Sequence, residues 1–143
     1  MDAIIRRARP TDSDDVWVLA RAFATSFQPE RGAFDRTFAS LDDAPHSLVL
    51  VAESSGLVIG YLVAHVHETF FANGPVAWVE EIMVAEAHRR AGIGQALMAG
   101  AEAWAGDRGA AYVSLATRRA GSFYLALGFE ESAVFYKRPV ERP

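Results

Sequence analysis

The chain has 143 residues, of which 51% are hydrophobic and 22% charged, with a net charge of −4 and no cysteine. That length predicts one domain spanning 1–143, large enough to fold without staples. The composition excludes wholesale disorder, a disulfide framework, a thiolate zinc site, an iron–sulfur cluster and a cysteine nucleophile, and the acidic balance argues against a nucleic-acid partner.

The longest apolar runs, such as Leu48 to Ala52, fall far short of the roughly 20 residues of a membrane span. The opening Met1 to Arg7 carries its basic pair after its apolar stretch, unlike a signal peptide. The expectation is a cytoplasmic protein with no membrane partner.

In chain order, Ala3 to Ala8 predicts a first strand, stopped by Pro10. Thr11 with Asp14 reads as a capping box. Val16, Leu19, Ala20, Phe23 and Phe27 then follow at helical spacing. Pro29 opens a second helix with Phe34, Phe38 and Leu41 on one stripe. Residues 48–53, 57–68 and 76–84 read as strands, separated by turns at Ser54-Ser55-Gly56 and Asn73-Gly74-Pro75. From Gly92 the period is helical, with Ile93, Leu97, Ala101 and Trp104 on one face and Gly106 and Gly109 at the end. Ala111 to Ala116 is a short strand. Ala120, Phe123 and Leu127 mark a last helix stopped by Gly128, and Phe129 to Lys137 a final strand. The predicted order is β-α-α-β-β-β-α-β-α-β, a mixed α/β domain with one central mixed sheet flanked by helices.

Chemistry concentrates between Trp78 and Gln95. A strand feeds Arg89-Arg90-Ala91-Gly92-Ile93-Gly94 and then a helix. The first helical N–H groups have no intrahelical partner and the macrodipole is positive there, so such a turn suits an anion. Gly92 and Gly94 would let a phosphate approach without a Cβ in the way. A plain helix start with solvated arginines fits these residues equally well. The phosphate-loop pattern G-x-x-x-x-G-K-[ST] is absent, and Leu97 stands where a dinucleotide fold needs its third glycine.

Arg89-x-x-Gly92-x-Gly94 resembles the Q/R-x-x-G-x-G/A acyl-CoA signature of the GNAT superfamily of N-acyltransferases. Ala120-x-x-Phe123-Tyr124-x-x-x-Gly128-Phe129 resembles a second segment of that family, and the Arg6-x-Ala8-x-x-x-Asp12 opening and the element order agree with it. One departure is Thr117, where members often carry Asn. The resemblance implies a GNAT-like fold and an N-acetyltransferase using acetyl-CoA. The fourth and fifth strands would part around the pantetheine arm, which would bond to the backbone of Ile82, Met83 and Val84. The pyrophosphate would sit on the amides of Arg90, Ala91, Gly92, Ile93, Gly94 and Gln95, with Arg89, Thr117 and Phe123 completing the CoA-binding set. A backbone N–H near Ile82 to Val84 would hold the oxyanion.

An amine acceptor must lose a proton before attack. Glu80 and Glu81 are the candidate bases. Alternation along a strand lets only one face the cleft directly unless a bulge intervenes; a carboxylate here could equally bind a cationic acceptor. Tyr124 is the candidate general acid for the departing thiolate, with Phe123 about 100° round the helix facing the core. Without cysteine, a cysteine-linked acyl enzyme is impossible and direct attack in a ternary complex is the simpler scheme.

The partners implied are a small-molecule or peptide amine, and the resemblance allows a homodimer. His65 and His67, with Glu68, would help select the acceptor if their face lines the cleft, and no metal is expected. The rival reading is a non-catalytic acyl-CoA-binding sensor or regulatory module.

Overall fold

A computed structural model describes residues 3–143. Five strands form one sheet in the order β1-β2-β3-β4-β5: β1 (Ile4–Arg7), β2 (Ser47–Ser54), β3 (Leu57–Thr69), β4 (Gly74–Val84) and β5 (Val113–Leu115). The first four are antiparallel to their neighbours; β5 is parallel to β4. A parallel neighbour needs a crossover, supplied by α3 (Ile93–Asp107). Helices α1 (Ser13–Phe23) and α2 (Arg31–Asp42) precede β2, and α4 (Gly121–Ala126) follows β5. No described helix is long and apolar enough to cross a membrane.

The sheet is buried on both faces, which explains why β2 reads as a continuous apolar run. On one face Leu48, Leu50, Leu62, Ala64, Ala77 and Val79 meet Leu97, Met98 and Ala101 of α3. On the other, Val49, Val51 and Tyr61 meet Val16 and Leu19 of α1 and Phe38 of α2. A Cβ on Gly100 would lie 2.9 Å from Leu50 Cδ1, so that glycine lets α3 settle directly on β2.

Three expectations are corrected. The Thr11 cap does not form: Pro10–Asp12 is a 3₁₀ turn ahead of α1, in which the Arg9 N–H donates to Asp12 Oδ2 (2.7 Å). The buried Asp12 also takes both terminal nitrogens of Arg6, and Arg6 reaches Glu53, tying β1, β2 and the start of α1 together. The second helix opens at Arg31, two residues beyond Pro29.

The final strand is the third. Residues 129–137 lie outside any strand, and Val134, Phe135 and Tyr136 are exposed. Strand propensity is realised only against a surface to pack on. The neighbouring edge strand is three residues long. The segment instead stacks Phe135 on Trp78 of β4 (ring centroids 6.2 Å apart), and Arg142 lies 5.8 Å from the Phe27 ring.

Candidate active site

The site is built around an irregularity in β4. Val63 pairs with Glu81, but the next residue, Ala64, pairs with Val79, so Glu80 is an extra residue in β4. Before this bulge the odd residues Ala77 and Val79 face α3; after it the even residues Ile82 and Val84 do. Alternation therefore slips by one, and both Glu80 and Glu81 fall on the face covered by α1 and α2. Glu80 is exposed. Glu81 is half-buried, and the Tyr61 hydroxyl donates to its Oε1 at 2.7 Å. Burial, and then the charge of Glu81, push the Tyr61 hydroxyl well above the ordinary phenol range.

The pairing of β4 with β5 ends at Val79 opposite Leu115, directly before the bulge. Glu80 to Val84 therefore have no strand partner on that side. Arg89 folds back onto this edge: its Nε donates to the Val84 carbonyl (3.1 Å), so its charge sits on the end of β4 rather than over the turn that follows.

A 3₁₀ turn (Glu86–His88) leads to Arg90 at φ +67° and Gly92 at φ +80°, and α3 begins at Ile93. The first helical bond is from Ala96 N–H to the Gly92 carbonyl. Among the described residues, no backbone or side-chain acceptor takes the N–H groups of Arg90, Ala91, Gly92, Ile93, Gly94 or Gln95. Six unengaged amides at the positive end of a four-turn helix suit an anion.

The two glycines serve different ends. A Cβ at Gly92 would meet nothing within 4 Å, and the residue is needed for its left-handed backbone. A Cβ at Gly94 would lie 3.3 Å from Phe123 Cζ. Gly94 thus seats the Phe123 ring at the mouth of the turn, a purpose its spacing does not reveal.

That seating inverts the expected roles on α4. Phe123 is 36% exposed beside the turn, whereas Tyr124 is 8% exposed and its ring joins the core. The buried stripe is Ala120, Tyr124 and Leu127, not Ala120, Phe123 and Leu127; both spacings suit a helix. Phe123 and Phe129 meet the Tyr124 ring edge-on at 4.9 and 5.7 Å. Burial, with no hydrogen bond contributing, raises the pKa of the Tyr124 hydroxyl, so it stays protonated across the neutral range. Thr117 Oγ1 accepts the Ala120 N–H (3.0 Å) and shapes the entry to α4.

Around the two glutamates, the strand register sets His65 opposite both Ser47 and Trp78, and His67 opposite Val76. His65 Nδ1 and Ser47 Oγ are hydrogen-bonded at 2.9 Å. No group of three metal-ligating side chains forms among the described residues. Sequence reasoning missed Tyr61 as a site residue. Its link to Glu81 comes from the β3–β4 register, in which Tyr61 lies opposite Met83 and Val63 opposite Glu81, and cross-strand pairing leaves no mark in the spacing.

The arrangement can therefore hold an anionic, phosphate-bearing tail at α3, lay an extended chain along the parted edge of β4, and present two carboxylates on the α1 and α2 side. The model of the acetyltransferase (GNAT) family matches residues 14–129. The aminoglycoside N(6')-acetyltransferase type 1 of Stenotrophomonas maltophilia is 27% identical, over 96% of this chain and 94% of that protein. The fold matches that of AAC(6')-Iy in complex with the bisubstrate analogue CoA-S-monomethyl-acetylneamine, with TM-score 0.82 and 22% identity over 98% of this chain and 100% of that one. It also matches glucosamine-6-phosphate N-acetyltransferase from Arabidopsis thaliana, with TM-score 0.84 and 17% identity over 99% and 100%.

Proposed function

Because the chain belongs to the acetyltransferase (GNAT) family and is an N-acetyltransferase enzyme, we propose that it moves an acetyl group from acetyl-CoA to an amine of a small polycationic molecule, by direct attack in a ternary complex. The observation that carries this reading is the row of unengaged amides from Arg90 to Gln95 beside the parted edge of β4. The amides bind the pyrophosphate, and Phe123 and Thr117 line the same end. The backbone of Ile82 to Val84 guides the pantetheine arm and offers an N–H to the thioester oxygen, where negative charge grows during attack.

The acceptor approaches from the face that carries Glu80 and Glu81. The amine nitrogen bonds to the carbonyl carbon, its proton passes to a carboxylate of this pair, and the carbon–sulfur bond breaks. Tyr124 supplies a proton to the departing sulfur. Two adjacent carboxylates in a chain of net charge −4 favour a cationic acceptor, and the aminoglycoside-modifying relative supports that class. His65 and His67 continue the Tyr61 and Val63 face of β3 toward the acceptor side, while Glu68 falls on the opposite face. The reaction belongs to the cytoplasm and needs no metal.

Two measurements test the reading. Calorimetry should detect acetyl-CoA binding, and thiol release should depend on an added amine from a panel of aminoglycosides, polyamines and amino acids. A purified, folded protein that bound no acetyl-CoA would overturn it.

A further inference from the structure

The two neighbouring carboxylates of β4 are held differently. Glu81 Oε1 accepts the Tyr61 hydroxyl at 2.7 Å, and Tyr61 is 1% exposed, packed under α1 with Val16 and Leu19. A phenol has one proton to donate, and this one is committed to Glu81. The carboxylate is therefore fixed in place by a side chain that cannot move without opening the core. Glu80 is the extra residue of the bulge, is exposed, and has no hydrogen-bond partner among the described residues.

A fixed carboxylate with one oxygen already engaged suits a stationary counter-charge, since a charge-assisted hydrogen bond depends on geometry. A carboxylate free to turn and open to water suits repeated gain and loss of a proton. We propose that Tyr61 is a positioning residue: it holds Glu81 as the anchor for a second ammonium group of the acceptor, and leaves Glu80 to take the proton from the reacting amine. This rests on the function proposed above. It assigns separate work to two residues that the sequence presents as a pair.

The test uses full-length protein, neamine and spermidine as acceptors, and the variants Glu80→Gln, Glu81→Gln, Tyr61→Phe and Tyr61→Phe/Glu81→Gln. Tyr61→Phe keeps the ring, and thermal melts check that each variant folds. Glu80→Gln is expected to lose at least about a hundredfold in kcat, with the calorimetric Kd for the acceptor on CoA-loaded enzyme nearly unchanged. Glu81→Gln and Tyr61→Phe should each weaken that Kd, and raise KM, by about tenfold. The double variant should be no weaker than Glu81→Gln alone, because Tyr61 acts only through Glu81. A folded Tyr61→Phe with wild-type Kd and KM overturns the proposal, as do additive losses or a kcat defect that falls on Glu81 instead of Glu80. If the wild type binds acetyl-CoA but neither binds nor acetylates these two polycations, the acceptor assignment and this inference fall together. If it binds no acetyl-CoA, the functional reading itself falls.

Discussion

Gly92 and Gly94 look alike in the sequence and would fail differently. Gly92 stands at φ +80°, where an L side chain costs roughly 1–2 kcal/mol. Gly92→Ala should lower unfolding free energy by about that much in urea titrations and disturb the amides proposed to bind CoA. Gly94→Ala keeps an ordinary backbone but crowds Phe123. Its stability cost should stay under about 1 kcal/mol, with the larger effect on acetyl-CoA affinity. Both glycines were legible as a phosphate-turn pattern; which one served the backbone and which the neighbouring ring was not, because Phe123 lies 29 positions away. Asp12 behaves similarly. It reads as a helix-start acid, and is in fact a buried partner of Arg6, whose hydrogen bonds hold its carboxyl below the usual carboxylate range. A lowered native pKa stabilises above the unfolded value, near about pH 4, and that contribution is lost as pH falls through the lower native value. Asp12→Asn should cost about 3 kcal/mol at pH 7, and the difference from wild type in denaturant titrations should shrink once pH drops below about 4.

At the scale of elements, the sequence disclosed every helix and the first five strands, since apolar periodicity and glycine or asparagine turns are local signals. It failed where placement is decided by contacts distant along the chain. On α4 the spacing of Ala120, Phe123, Tyr124 and Leu127 admits two buried stripes, and Gly94 decides between them. Tyr124 enters the core by its ring, and no hydrogen bond to its hydroxyl contributes to its shifted pKa. Tyr124→Phe should therefore leave the melting temperature nearly unchanged and lower kcat by about 10²–10⁴, with acetyl-CoA affinity preserved; unchanged turnover would remove this residue from the chemistry. The segment 129–137 has the composition of a strand, yet the edge beside it is only three residues long. The bulge in β4 was equally hidden: Val79-Glu80-Glu81-Ile82 contains no glycine or proline to announce it.

Across the whole molecule, the sheet divides the labour. On the function proposed above, the α3 side would carry the turn for the acyl donor and the α1 and α2 side the carboxylates for the acceptor, so the two substrates would meet at the edge of β4 without competing for one cavity. An acceptor drawn by exposed carboxylates is screened by salt. Its KM should rise with ionic strength between about 10 mM and 500 mM, while KM for acetyl-CoA, held largely by backbone amides and apolar contact, should move less.

Glu80 has one more consequence. Removing that single residue would return β4 to strict up-and-down order: Val79, Ile82 and Val84 would still point toward α3, and Glu81 and Met83 toward α1. The shortened chain should therefore assemble and melt like its parent while losing both the proposed proton acceptor and the kink where β5 lets go. The position proposed for proton transfer is thus an insertion laid over an otherwise complete scaffold, and can be erased by deletion without rewriting the interior.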